Sequence, residues 1–176
     1  MRKLILVSGT PGTGKTRVAK GIAEHYDYKY VHIGEHEEYV TAQIDIKIID
    51  VEQMIKWLKT QQKRDSKTLV VDSHLSHYFP AELTRICIIT RCDPSELKTR
   101  LKKREYPEEK IRINLEAEAM DLILQEALAE GHKVHEVNTT HKIASTSVKE
   151  AIEAIDTGRT SYGEVDFSNH LSTTKF

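Results

Sequence analysis

Short unbroken apolar runs alternate along this chain with longer stretches whose apolar residues recur every three or four positions. The runs Leu4–Val7, Tyr30–Ile33, Thr68–Asp72, Ile86–Thr90 and Lys133–Val137 read as strands, most of them buried on both faces. Between them, Arg17–His25 carries Val18, Ile22 and Ala23 at helical spacing, and Val51–Lys63 places Met54, Ile55 and Leu58 on one face. Asp93-Pro94 opens a further helix, with body Ser95–Lys103, because proline suits the first helical position, where no N–H is needed. Pro107 separates it from a long helix predicted over Glu108–Ala129, which Gly131 closes as a C-cap. Val148–Ile155 supplies the last helix. This alternation predicts an α/β fold: a doubly wound, five-stranded parallel sheet with helices on both faces.

The 176 residues contain no internal repeat or low-complexity linker, so one domain is expected over 1–156, followed by a polar, turn-rich tail at 157–176. Charged residues make up 30% of the chain yet sum to a net charge of -1, which gives no overall field toward nucleic acid. No apolar run has the length of a membrane span. Nothing near Met1 has the pattern of a signal peptide. Cys87 and Cys92 fit neither a zinc spacing nor a redox pair, and Cys87 reads as a small core residue. A cytoplasmic protein of a reducing compartment is expected.

One segment changes the picture. Gly9-Thr10-Pro11-Gly12-Thr13-Gly14-Lys15-Thr16 matches G-x-x-x-x-G-K-[ST] at every fixed position, between the first strand and the first helix. That order is what a phosphate cradle needs. Glycines let the backbone of Gly12, Thr13 and Gly14 turn its N–H groups toward phosphate oxygens, and the helix start adds a positive dipole end. Lys15 is placed to reach the β- and γ-phosphates and Thr16 to ligate Mg²⁺. The chain is read as a P-loop NTPase.

Val70-Val71-Asp72 is an apolar strand ending in a carboxylate, which suits a second Mg²⁺ holder beside the loop; the other reading makes Asp72 a cap of the following turn. His74 lies two residues on and either contacts phosphate or water or makes a structural hydrogen bond. Arg91, Arg100, Arg104 and Arg112 gather where a lid is expected, and planar guanidiniums neutralise a transferring phosphoryl group. Arg104 stands at the turn before Tyr106-Pro107, where such a lid would hinge. Asn138, in Val137-Asn138-Thr139-Thr140, either lines an adenine pocket or belongs to an ordinary strand-to-helix loop.

Four blocks together resemble the adenylate kinase isoenzyme six family, the CINAP-type NTPases. They are the glycine loop, Tyr30-Val31-His32-Ile33-Gly34, Val71-Asp72-Ser73-His74 with Phe79-Pro80, and Thr90-Arg91 through Arg104-Glu105-Tyr106. The resemblance implies an adenylate-kinase-like fold with a monophosphate-binding insert at about 30–50 and a short lid at about 103–113. It implies adenylate kinase and ATPase activity with ATP, Mg²⁺ and AMP as acceptor. It also implies a role in small-ribosomal-subunit maturation, with small-subunit ribosomal protein eleven and the 3′ end of the precursor rRNA as partners. By position, Gly12, Gly14, Lys15, Thr16 and Arg17 would bind ATP, Arg104 would reach it from the lid, and Asp72 and His74 would be the catalytic pair; Thr13 of the loop and Asn138 after the fifth strand complete the expected nucleotide-binding set.

Two positions and one stretch depart from the family pattern. Arg17 stands where threonine is common, and its backbone N–H is expected to serve in its place. Glu105 replaces a frequent glycine and is expected to stiffen the hinge. No arginine occurs between Arg17 and Arg64, and Lys47 is the one fixed cation of Glu35–Asp50. A lysine lacks the planar fork that clamps a phosphate in two places. A weak acceptor site and a purely ATP-hydrolysing assembly factor are therefore the alternative expectation, unless Arg91 or Arg100 supplies the clamp.

Overall fold

The computed structural model describes residues 4–35, 40–44, 46–49, 51–64 and 66–173. In chain order, β1 (Leu4–Ser8) leads through the glycine loop to α1 (Lys15–Tyr26) and β2 (Lys29–His32). A hairpin of β3 (Val40–Ile44) and β4 (Ile46–Ile49) follows, then α2 (Val51–Arg64), β5 (Leu69–Asp72) and β6 (Thr84–Arg91). The second half runs α3 (Pro94–Lys102), α4 (Glu108–Ala119), α5 (Leu122–Ala129), β7 (Val134–Asn138), α6 (Ala144–Thr157) and α7 (Asn169–Thr173).

The central sheet has the order β2-β5-β1-β6-β7 with every pair parallel. β1 lies in the middle, Ile5 facing Val70 of β5 on one side and Ile86 of β6 on the other. Both faces are covered, which is why its five residues are all buried and why the run contains no alternation with polar residues. Leu4 and Leu6, with Val71, Cys87 and Ile89, meet Met54 and Leu58 of α2 and Leu124 and Ala127 of α5. Ile5 and Val7, with Val70 and Ile88, meet Val18 and Ile22 of α1 and Ala151 and Ile155 of α6. Burial pushes the Cys87 thiol well above its usual range, as suits a core residue. A small third core of Leu97, Leu101, Ile111 and Leu115 joins α3 to α4. The strands reached from β1 lie on opposite sides of it, so its carboxyl end is the switch point where a ligand crevice opens. No helix among the described residues is long and apolar enough to cross a membrane.

One expectation is revised, and two open points are filled in. The single helix predicted over Glu108–Ala129 is two helices, α4 and α5, broken at Met120-Asp121, where Asp121 adopts φ 55. The cause lies on β6: the buried Arg91 takes the carbonyl of Glu118 at 3.0 Å and the carboxylate of Asp121, so the helix ladder cannot run through. Within the acidic insert, β3 and β4 pair antiparallel, while residues 36–39 and the Lys47 side chain lie outside the described residues. The tail packs rather than hangs free. Ser161 pairs with β7 through the Glu136 N–H at 2.9 Å, and Phe167 is buried with the Arg91 guanidinium 5.4 Å from its ring centre. Residues 174–176 lie outside the described residues.

Candidate active site

The glycine loop closes over the carboxyl end of β1 because two of its positions exclude side chains. A Cβ on Gly9, at φ 140, would stand 2.5 Å from the Thr90 carbonyl oxygen. One on Gly12, at φ 94, would stand 2.7 Å from Leu97 of α3. Gly14 is the N-cap of α1, and no side chain caps the helix there, so its first N–H groups open toward the loop. Thr13 is buried and turned away from that opening: its hydroxyl donates to the Thr10 carbonyl at 2.8 Å and lies 2.7 Å from Thr90 Oγ1. Its side chain braces the loop. The Arg17 N–H bonds to the Gly14 carbonyl at 3.1 Å, so it is the Arg17 side chain that borders the site.

Two cavities open on this loop. The first, about 500 Å³, lies between the loop, α3 and the start of α6, and its walls include Arg17, Arg100, Thr139 and Lys142. The second, about 600 Å³, lies between the loop, the end of β2, the turn after β5 and α4, and its walls include His32, His74, Tyr106 and Lys110. Gly12, Lys15, Thr16 and Arg104 line both. Lys15 Nζ donates to the Thr10 carbonyl at 3.1 Å. Desolvation lowers its pKa to about 8, with Asp72 and Glu118 opposing and Arg104 reinforcing.

Asp72 is fully buried at the end of β5. Its Oδ2 accepts from the Thr16 hydroxyl at 2.7 Å and the Tyr30 hydroxyl at 2.9 Å, and lies 3.1 Å from His32 Nδ1. Burial works to raise its pKa, but the hydrogen bonds from His32, Thr16 and Tyr30 and the Lys15 charge outweigh it and hold the group below the ordinary carboxylate range. Oδ1 has no partner. An ionised carboxylate with one orphaned buried oxygen, tied to the hydroxyl after the P-loop lysine, fits a hard divalent cation. Thr16 and Asp72 are the residues that would hold it.

His74 faces the second cavity with its side chain open to it. The protein walls around it and then the charges of Lys15, His77, Lys110 and His32 lower its pKa to about 4, so it is neutral at pH 7. His77, by contrast, points into the core, with Nδ1 3.0 Å from Ser8 Oγ and Nε2 3.0 Å from Glu126. The two histidines therefore serve different environments.

The four arginines also part company. Arg104 is exposed and borders both cavities. Arg91 is 2% exposed and bound to Glu118, Glu136 and Asp121, so it cannot supply a clamp in either cavity. Arg112 pairs with Glu116 on the surface of α4. Arg100 reaches across the loop, donating to the Gly12 carbonyl at 3.2 Å and the Thr139 carbonyl at 3.0 Å while held by Glu96. It fastens the P-loop to the end of β7. Asn138 is not brought to either wall; its side-chain oxygen accepts from the Thr140 N–H at 3.0 Å and hydroxyl at 2.6 Å. Sequence reasoning did not single out Tyr30 and His32 as partners of Asp72. The signal was available in register: β2 lies beside β5, with His32 opposite Asp72.

A family model described as an AAA domain matches residues 5–121. Proteins named "Putative adenylate kinase" match over most of their length. The one from Methanosarcina acetivorans is 38% identical over 87% of this chain and 86% of its own. The one from Thermococcus onnurineus is 37% identical over 94% and 91%, and that from Methanosarcina barkeri 40% over 87% and 86%. Among solved structures, a gluconokinase from Sinorhizobium meliloti 1021 aligns with a TM-score of 0.60 at 18% identity, covering 99% of this chain and 100% of its own. A sugar kinase from a Janibacter species aligns at 0.58 and 16%, covering 89% and 95%. Those two likenesses bear on the fold alone. The relatives settle the family: this chain belongs to the adenylate-kinase homologues they represent, within the AAA-domain group of P-loop proteins.

Proposed function

We propose that the protein is a nucleoside monophosphate kinase that transfers the γ-phosphoryl of Mg·ATP to AMP, yielding two ADP, and that hydrolyses ATP when water takes the acceptor's place. The observation that carries this reading is the pair of cavities meeting across Gly12, Lys15, Thr16 and Arg104. ATP in the first cavity puts its γ-phosphate at that shared wall, and an acceptor in the second meets it there. Hydrolysis alone needs room for one water, far less than about 600 Å³. The relatives' name points the same way.

In this reading Gly12 and Gly14 turn the loop backbone toward the phosphates, Thr13 holds that loop through its bonds to the Thr10 carbonyl, and Arg17 borders the nucleotide with its side chain. Lys15 and Arg104 neutralise the charge that spreads over the transferring oxygens. Mg²⁺ held by Thr16 and Asp72 would supply further charge neutralisation to those oxygens. His74, neutral at pH 7, hydrogen-bonds the acceptor or the attacking water. Residues 30–50 act as the acceptor-side insert and 103–113 as the lid. Asn138 shapes the nucleotide end of the first cavity through the Thr139 turn.

The resemblance to the CINAP-type NTPases extends the proposal to small-ribosomal-subunit maturation, with ribosomal protein eleven and the precursor rRNA 3′ end as partners. A purely hydrolysing assembly factor is the second reading, favoured by the lack of any arginine from 18 to 63. Incubating the protein with γ-labelled Mg·ATP and AMP separates the two. Label recovered in ADP supports the kinase, and label recovered only as inorganic phosphate supports hydrolysis. Lys15→Ala should abolish both, and substantial residual turnover would overturn the P-loop assignment.

A further inference from the structure

We infer that Lys110, on the first turn of α4, is the acceptor-side anchor that grips the monophosphate of the incoming nucleotide in place of an arginine from the insert. The inference rests on the kinase reading above and adds the residue that makes its acceptor site workable.

Three observations carry it. The second cavity is a cationic chamber: Lys15, Arg104 and Lys110 line it together with His32 and His74, and no aspartate or glutamate is among its described lining residues. An anion is the ligand such a wall selects.

Next, among the described residues these three cations have no carboxylate partner. Of the first cavity's basic residues, Arg100 is spent on Glu96 and Lys142 on Glu150, while Arg17 and Lys103 border that cavity only. Lys15 and Arg104 border the first cavity as well and face the donor's phosphates; Lys110 borders only the second. It is therefore the fixed cation left for the acceptor.

Finally, Lys110 is held in place. Its ammonium sits 4.7 Å from the centre of the Tyr106 ring, and that ring lines the same cavity. A cation–π contact of this kind steadies a long side chain and limits the entropy lost on gripping a ligand. Beyond the charged end, Ile113, Ala117 and Ile123 give the cavity an apolar flank for the uncharged part of the acceptor.

The test compares wild type with Lys110→Ala and Lys110→Arg. AMP binding is measured by calorimetry in the presence of Mg²⁺ and a non-hydrolysable ATP analogue, and initial rates are measured with ATP and AMP varied separately. Loss of one charge-assisted contact to phosphate should weaken AMP binding about tenfold to a hundredfold in Lys110→Ala. Affinity for the ATP analogue should be unchanged, and Lys110→Arg should restore most of the loss. AMP affinity and KM unchanged in Lys110→Ala would overturn the inference, as would wild type that binds no AMP. An equal loss for ATP would overturn it too, by assigning Lys110 to the donor. Wild type that binds AMP through Lys110 but forms no ADP from it would uphold this anion site while refuting the kinase reading.

Discussion

Thr16 Oγ1 donates to Asp72 Oδ2 at 2.7 Å, tying the first turn of α1 to the end of β5 across 56 residues of sequence. The bond joins the two groups that a P-loop enzyme needs on either side of its cation, and it leaves Asp72 Oδ1 without a partner. Asp72→Asn keeps the size of the group and an acceptor for Thr16 while removing the charge. Turnover with Mg·ATP should fall about a hundredfold or more, with the unfolding midpoint in urea little changed. Activity within a few-fold of wild type would remove Asp72 from the cation site.

Arg91 marks the end of β6 with a buried guanidinium between Glu118 and Glu136. Removing it strands two carboxylates that are each 3% exposed. Arg91→Met should cost ~3–5 kcal/mol of stability in denaturant titrations. Arg91→Lys should recover little, because one ammonium cannot satisfy the planar set of partners. A loss below about 1 kcal/mol would show that the network adds little to the fold.

Glu105 occupies φ 57 at the turn between α3 and α4. A non-glycine residue there costs about 1–2 kcal/mol, against the greater freedom glycine gives the unfolded chain. Glu105→Gly should therefore stabilise the protein by ~0.5–1 kcal/mol, and thermal unfolding measures it. A lower midpoint would mean that the Glu105 side chain contributes more than its backbone costs.

His77 is buried, and desolvation, then the His132 charge, lowers its pKa to about 4. The unfolded chain takes up a proton near 6.5. Between those values the unfolded state binds more protons, so stability is full above about 6.5 and declines as pH falls toward 4, by at most ~1.4 kcal/mol per pH unit from this group. His77→Gln should flatten that decline in denaturant titrations at a series of pH values. An unchanged slope would place the acid sensitivity elsewhere.

The sheet and the loop were legible in the chain because strands buried on both faces read as unbroken apolar runs and the phosphate cradle has fixed spacing. The break between α4 and α5 was not, since apolar spacing continues through Met120-Asp121 and its cause, Arg91, lies 30 residues from Asp121. The spacing also did not show that the Thr13 and Asn138 side chains close local turns. Tyr30 and His32 escaped notice because their partner Asp72 is 42 and 40 residues away and only parallel register joins them. Lys110 lay hidden in the run Glu108-Glu109-Lys110, which reads as a solvated surface.

The central claim is that a donor and an acceptor nucleotide meet across Lys15 from two cavities. A bisubstrate compound, two adenosines joined through five phosphates, tests it most directly by calorimetry and competition. The account predicts one molecule bound per chain, displacing both an ATP analogue and AMP, and losing affinity in Lys15→Ala. Displacement of the ATP analogue alone, with AMP binding unaffected or absent, would contradict it.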